Sequence, residues 1–113
     1  MPGWDKLRIV TLREGALGFR GAQALHGALA FAAEHPSVES VWRTSTNTVA
    51  WLEADRAQLE KLRVEASRYA VPHSVFHEPD LADRLTAVVL APCPRAQKLT
   101  RGLPLAGVAQ GQS

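Results

Sequence analysis

Gln23 and His26 lie three residues apart in the segment Gly15-Ala-Leu-Gly18-Phe-Arg20-Gly21-Ala-Gln23-Ala-Leu-His26-Gly27. On a helix that spacing puts an amide and an imidazole on one face, where they can meet a ligand or solvate each other. A glycine-bearing loop running from a strand into a helix can also bring backbone amides up to an anion. The glycine spacing is not that of the dinucleotide fingerprint, so a plain strand-to-helix turn stays open as a reading. A second group, His77-Glu78-Pro79-Asp80 with Asp83 and Arg84 behind it, offers an imidazole and carboxylates. These can orient a water or act as general base if the fold sets them beside the first loop; otherwise they form a surface turn. A third, Arg95, Lys98 and Arg101, repeats every three residues along a short helix, as a contact for a nucleic-acid backbone or as a solvated face. No metal site is expected. His73 and His77 in a strand stand about 13 Å apart, four residues at roughly 3.3 Å each. Cys93, between two prolines, has no activating neighbour. Trp4, Trp42 and Trp51 can stack on bases, but Trp51 lies in a strand and is expected to pack.

These groups need elements to position them. Leu7-Arg-Ile-Val-Thr-Leu12 is aliphatic and β-branched and predicts a buried strand. From Gly21 to Glu34, Ala22, Leu25, Leu29 and Ala32 recur at helical spacing, ended by His35-Pro36. Residues 37–42 predict a short second helix or turn, and residues 44–47 a polar connector. Thr48 to Glu53 predicts a second strand. Asp55, with Gln58 three residues on, predicts a capped helix carrying Leu59, Leu62, Ala66 and Tyr69 on one face. His73 to His77 and Leu85 to Leu90 predict two more strands, and Arg95 to Leu103 a short basic helix. The resulting order, β-α-α-β-α-β-β-α, describes one α/β domain over residues 1–113, a three-layer α/β/α sandwich. It holds a four-stranded mixed sheet with helices on both faces, and residues 1–6 and 107–113 are expected to be frayed ends.

A chain of 113 residues with 46% hydrophobic and 21% charged residues has globular composition, which argues against disorder, collagen and coiled coil. A single cysteine excludes an internal disulfide framework and fits a reducing cytoplasm. Neither a signal peptide nor an apolar run of membrane-spanning length is visible, so a cytoplasmic protein with no membrane partner is expected. Net charge is only +2, but it is unevenly placed. Residues 1–33 carry four basic and two acidic residues, residues 34–83 five and nine, and residues 84–113 four and none, so the two ends can share a basic face. Ten of the thirteen cations are arginine, suited to bidentate phosphate contacts, although a GC-rich genome yields the same bias.

These segments together resemble the type II peptidyl-tRNA hydrolases, along residues 7–105. The family pattern G-K-x-A-A-Q-x-x-H-A meets this chain at Gly18, Ala22, Gln23 and His26. Ala70-Val-Pro-His-Ser-Val-Phe-His77-Glu78 is similar to G-L-P-x-S-L-I-Q-D, and Thr86 to Pro92 to the strand T-V-L-A-I-x-P. Three departures stand out. Phe19 occupies the family's lysine position, with Arg20 next to it; Glu78 replaces an active-site aspartate; and residues 79–85 replace a longer loop that carries a threonine of the usual site.

The resemblance implies hydrolysis of the ester between a peptide and the 3′ ribose of tRNA, without a cofactor. It implies catalytic roles for Gln23, His26, His77, Glu78 and Asp80. It also implies tRNA contacts through Gly18, Arg20, Arg95, Lys98 and Arg101, and it leaves a homodimer open. The missing lysine and shortened loop keep two alternatives alive: a catalytically silent member of the same fold that binds tRNA, a nucleotide or a protein partner, and a hydrolase of another ester or amide.

Overall fold

The computed structural model describes residues 5–107. Frayed ends and a stacking role for Trp4 therefore fall partly or wholly outside the described residues. The order is β1 (Leu7–Leu12), α1 (Leu17–Glu34), α2 (Pro36–Thr44), β2 (Val49–Ala54), α3 (Arg56–Arg68), β3 (His73–Glu78), a 3-10 turn (Pro79–Leu81), β4 (Arg84–Leu90) and α4 (Pro94–Leu99). The strands form one mixed sheet in the order β2-β1-β4-β3. β1 pairs parallel with β2 and antiparallel with β4, and β3 pairs antiparallel with β4. Hence β1, β2 and β3 run the same way, and their carboxyl ends share one end of the sheet with the start of β4.

The chain steps one way across the sheet from β1 to β2 and back the other way from β2 to β3. Right-handed crossovers therefore place α1 and α3 on opposite faces. Strand alternation supplies a core for each. Val10, Leu12, Leu52, Ala54, Val88 and Leu90 pack on Leu59, Leu62 and Ala66 of α3 and Ala96 of α4. Ile9 and Val89 pack on Ala24 and Phe31 of α1, with Val38 and Trp42 of α2 alongside. The domain is the three-layer α/β sandwich expected.

Local chemistry explains the boundaries. Asp55 accepts from the Gln58 N–H at 2.8 Å while the Gln58 side chain accepts from the Asp55 N–H at 2.9 Å, a reciprocal capping box that starts α3. α2 begins on Pro36, whose fixed φ suits the first helical turn. α1 starts at Leu17, four residues before the expected Gly21. Gly15 (φ +87°) turns the chain at a point where a Cβ would lie 3.0 Å from the Phe19 ring, and the helix then runs through Gly18 and Gly21. α4 ends at Leu99 instead of Leu103, because Gly102 takes a left-handed φ of +88° ahead of Pro104. The next residues run along the outer edge of β2, with Glu53 N–H donating to the Pro104 carbonyl (3.0 Å) and Ala106 N–H to the Trp51 carbonyl (2.8 Å). They cover an edge that would otherwise stand open.

Candidate active site

Along β3, Ser74, Phe76 and Glu78 face α1, while Val75 packs into the core beneath α3. α1 descends over this face and meets it in three places. The Gln23 amide donates to Glu78 Oε1 at 2.8 Å. One turn on, the His26 ring stacks on Phe76 with centroids 4.4 Å apart and planes within 9°. At the far end Ser74 donates to Glu34 at 2.7 Å. Gln23 and Glu78, which the sequence separates by 55 residues, are thus in direct contact, only 2% and 9% exposed.

A third member comes from β4. Phe76 pairs with Ala87 but His77 with Leu85, so Thr86 is the extra residue of a β-bulge. Ala87 already faces α1, since a Cβ on Gly27 would come within 3.2 Å of it. The bulge turns Thr86 to the same side, and its hydroxyl donates to Gln23 Oε1 at 2.6 Å. That contact directs the Gln23 Nε2 toward Glu78. Nothing in the residue pattern marks this role of Thr86. Leu85 to Leu90 is buried on both faces, and such a run carries no alternation from which a face can be read.

The carboxylate of Glu78 also takes the Asp80 N–H at 3.3 Å, closing the 3-10 turn on itself. The turn ends on Ala82 (φ 54°) and Asp83 (φ 59°), two successive left-handed residues without glycine's freedom. Asp83 N–H donates to the Glu78 carbonyl at 3.0 Å, which holds this return in place. The site's flank is therefore built by a tight, strained connection.

Arg20 lies one turn before Gln23 and binds the carboxylate of Glu53, which is 3% exposed at the end of β2. Trp51, two residues earlier, donates to Thr11 at 2.9 Å. The first-turn amides of α1 precede its first bond, Arg20 N–H to the Ala16 carbonyl (3.0 Å), and Ala16 has no side-chain cap for them. At the rim, Glu14 accepts from Arg56 at 2.8 and 2.9 Å and from Arg84 at 3.3 Å, tying the ends of β1, α3 and β4 together. The Arg56 hydrogen bond holds the Glu14 carboxyl below its usual range.

No family model and no curated protein matches this chain. Among solved structures it is similar to a protein of unknown function from Agrobacterium tumefaciens strain C58, with a TM-score of 0.55 and 14% identity. The likeness covers 88% of this chain and 96% of the other. At that identity it speaks for the fold alone.

The expected site residues thus separate into groups. Gln23, His26 and Glu78 come together beneath α1, with Asp80 exposed on the adjoining turn and Gly18 and Arg20 on the first turns of the same helix. His77 does not join them. Its strand neighbours Phe76 and Glu78 point to α1, so alternation turns His77 to the other side of the sheet. Arg95, Lys98 and Arg101 do not join them either. α4 leaves β4 toward α3, and Ala96 and Leu99 anchor it in the core on that side. The two ends of the chain therefore do not form one basic face around Gln23 and Glu78, and the amides of Gly18 to Gly21 belong to a helix instead of a loop. No helix among the described residues is long and apolar enough to cross a membrane.

Proposed function

We propose that the chain hydrolyses the ester joining a peptide to the 3′ ribose of tRNA, with Glu78 as general base and Gln23 as its partner. The observation that carries this reading is the 2.8 Å contact between Gln23 and Glu78 at the carboxyl ends of the strands. The resemblance singles out both positions independently, and strand ends are where α/β sheets commonly take ligands. In the step envisaged, Glu78 removes a proton from a water as the water oxygen bonds to the ester carbonyl carbon. The oxyanion that forms is met by the second Gln23 N–H and by first-turn amides of α1. Collapse breaks the bond to the ribose oxygen, which leaves with the proton held by Glu78. His26, one turn from Gln23 and seated on Phe76, flanks the ester, and Asp80 borders it. Gly18 and Arg20 lie where the acceptor end enters.

The test is release of labelled N-acetylated aminoacyl groups from tRNA by the purified protein. Glu78→Gln and Gln23→Ala are expected to lower turnover at least about 100-fold, the ordinary loss when a general base or an oxyanion donor is removed. Unchanged turnover in both variants overturns the assignment. One observation favours a second reading, a silent member of the fold that binds tRNA, a nucleotide or a protein partner. Arg20, the cation beside the position of the family's lysine, is already bound to Glu53. Salt-sensitive binding of uncharged tRNA by protein that shows no turnover selects that reading.

A further inference from the structure

The outer surface of the α3–α4 layer has a charge pattern unlike the rest of the molecule. Its two helices with their flanking residues, 55–68 and 94–103, carry the acids Asp55, Glu60 and Glu65 against seven cations. Arg56 and Arg63 are paired with Glu14 and Glu60. Lys61, Arg68, Arg95, Lys98 and Arg101 form no ion pair with any carboxylate among the described residues. On the α1–α2 layer, by contrast, Arg20 and Arg43 are both paired, with Glu53 and Glu39.

Geometry groups the five. α3 and α4 pack side by side, so that Lys61 and Arg101 line opposite walls of one notch between α3 and the turn after α4. At the other end, the Arg95 guanidinium lies 4.1 Å from the centroid of the Tyr69 ring and that of Arg68 5.7 Å from it. Lys98 stands exposed one helical turn from Arg95. Along α3 the two ends are about 10 Å apart, seven residues at 1.5 Å each. A nucleic-acid strand advances roughly 3.4 Å per phosphate along its axis, so this row can meet about three successive phosphates. Tyr69, exposed and already stacked with arginine, offers a ring of the kind that unpaired bases use. An anionic membrane surface calls for a broad apolar fringe instead, and the large hydrophobic side chains α3 and its cap expose are Val64 and the arginine-stacked Tyr69.

We propose that the α3–α4 layer docks the phosphate backbone of single-stranded nucleic acid, through Lys61, Arg68, Arg95, Lys98 and Arg101. The surface lies across the sheet from Gln23 and Glu78 and does not depend on the hydrolase reading. It is tested with a ligand that has no ester, a labelled 12-nucleotide oligouridine titrated with the full chain by fluorescence anisotropy. Binding is expected to weaken with salt, with log K falling against log salt no more steeply than about −3.5, the limit for five cations on a single strand. The triple variant Lys61→Glu/Lys98→Glu/Arg101→Glu, checked for wild-type circular dichroism, is expected to bind at least about tenfold more weakly and to lose about 2 from the slope. Arg43→Glu, on the other layer, should change affinity less than twofold. No binding at low salt overturns the proposal. So does equal weakening by Arg43→Glu, tighter binding of a duplex of the same length, or binding of phosphatidylserine vesicles in place of the oligonucleotide. Loss of ester turnover in Gln23→Ala with oligouridine affinity intact separates this surface from the catalytic reading.

Discussion

Under α3 the sheet presents Val10, Leu12, Leu52, Ala54, Val88 and Leu90 to leucines and alanine, an apolar contact throughout. Under α1 the same strands present Thr11, Glu53, Ser74, Glu78 and Thr86, each hydrogen-bonded to a side chain and all 9% exposed or less. The first interface follows from hydrophobic burial alone, roughly 25 cal/mol for each Å² of apolar surface removed from water. The second demands that every polar group find a partner, since a buried unmet donor or acceptor costs about 1–3 kcal/mol. One sheet therefore has an apolar face and a face that gathers buried polar side chains. Outside, the roles differ again: over the apolar interface five of seven cations form no ion pair among the described residues, and over the polar one Arg20 and Arg43 are both paired.

The largest effects test the apolar side. Leu59 and Leu62 are 1% and 3% exposed, and Leu62→Ala is expected to cost about 3–4 kcal/mol in urea unfolding from the cavity it leaves. Turnover per folded molecule should hardly change. A matching loss of catalysis at low denaturant would mean that the two faces are not separable.

Next comes the polar side. Glu53→Ala strands the Arg20 guanidinium, whose side chain is 18% exposed, and is expected to cost about 2 kcal/mol, less than for a fully buried pair. Replacing both partners, Arg20→Met with Glu53→Leu, should recover most of that loss by the same physics. If the double variant is also inactive toward peptidyl-tRNA while Glu53→Ala retains turnover, the charge of Arg20 matters to substrate and its structural pairing does not.

Gly27 marks where α1 comes nearest to the sheet. A Cβ there would fall 2.9 Å from Val89 Cγ2 and 3.2 Å from the Ala87 Cβ, both fully buried on β4. Gly27→Ala is expected to cost about 1–2 kcal/mol despite alanine's better helix propensity. Because the clash would lift α1 from β4, the variant should also lengthen the contact of Thr86 with Gln23. A turnover loss larger than that of Leu62→Ala, at smaller cost in stability, would show that the polar face is the more exacting of the two.

How far the sequence foretold each face follows from the same contrast. Leu7–Leu12 and the Asp55–Gln58 capping box were readable because aliphatic runs and caps act locally. Gln23 and Glu78 were readable as candidates by residue type and resemblance. The partner of each was hidden, because contacts across 55 and 63 residues depend on topology. His77 was misplaced for want of a face, since one step along a strand reverses the side chain. Arg95 and Lys98 were rightly placed on a basic helix, and Arg101 falls in the turn after it. Their layer was set by Ala96 and Leu99 packing on α3, which charge counting does not see. Thr86 was hidden because a bulge leaves no mark in a strand buried on both faces.

The smallest effect lies at the rim where the faces meet. Glu14 joins Arg56 of α3 to Arg84 of β4, and the Arg56 hydrogen bond lowers its carboxyl from the ordinary value. A lowered folded-state value means that ionised Glu14 favours the fold above the ordinary carboxylate range. That contribution is lost as pH falls through the lowered value and the carboxylate protonates. Solvent reaches all three side chains, so the effect should be slight and should shrink further with added salt. Glu14→Gln is therefore expected to melt slightly below the native chain at pH 7, with the gap closing as the pH is brought to about 3. A gap that stays constant with pH would place the effect of Glu14 in the shape of the loop between β1 and α1 instead of its charge. The rim would then belong structurally to the α1 side alone.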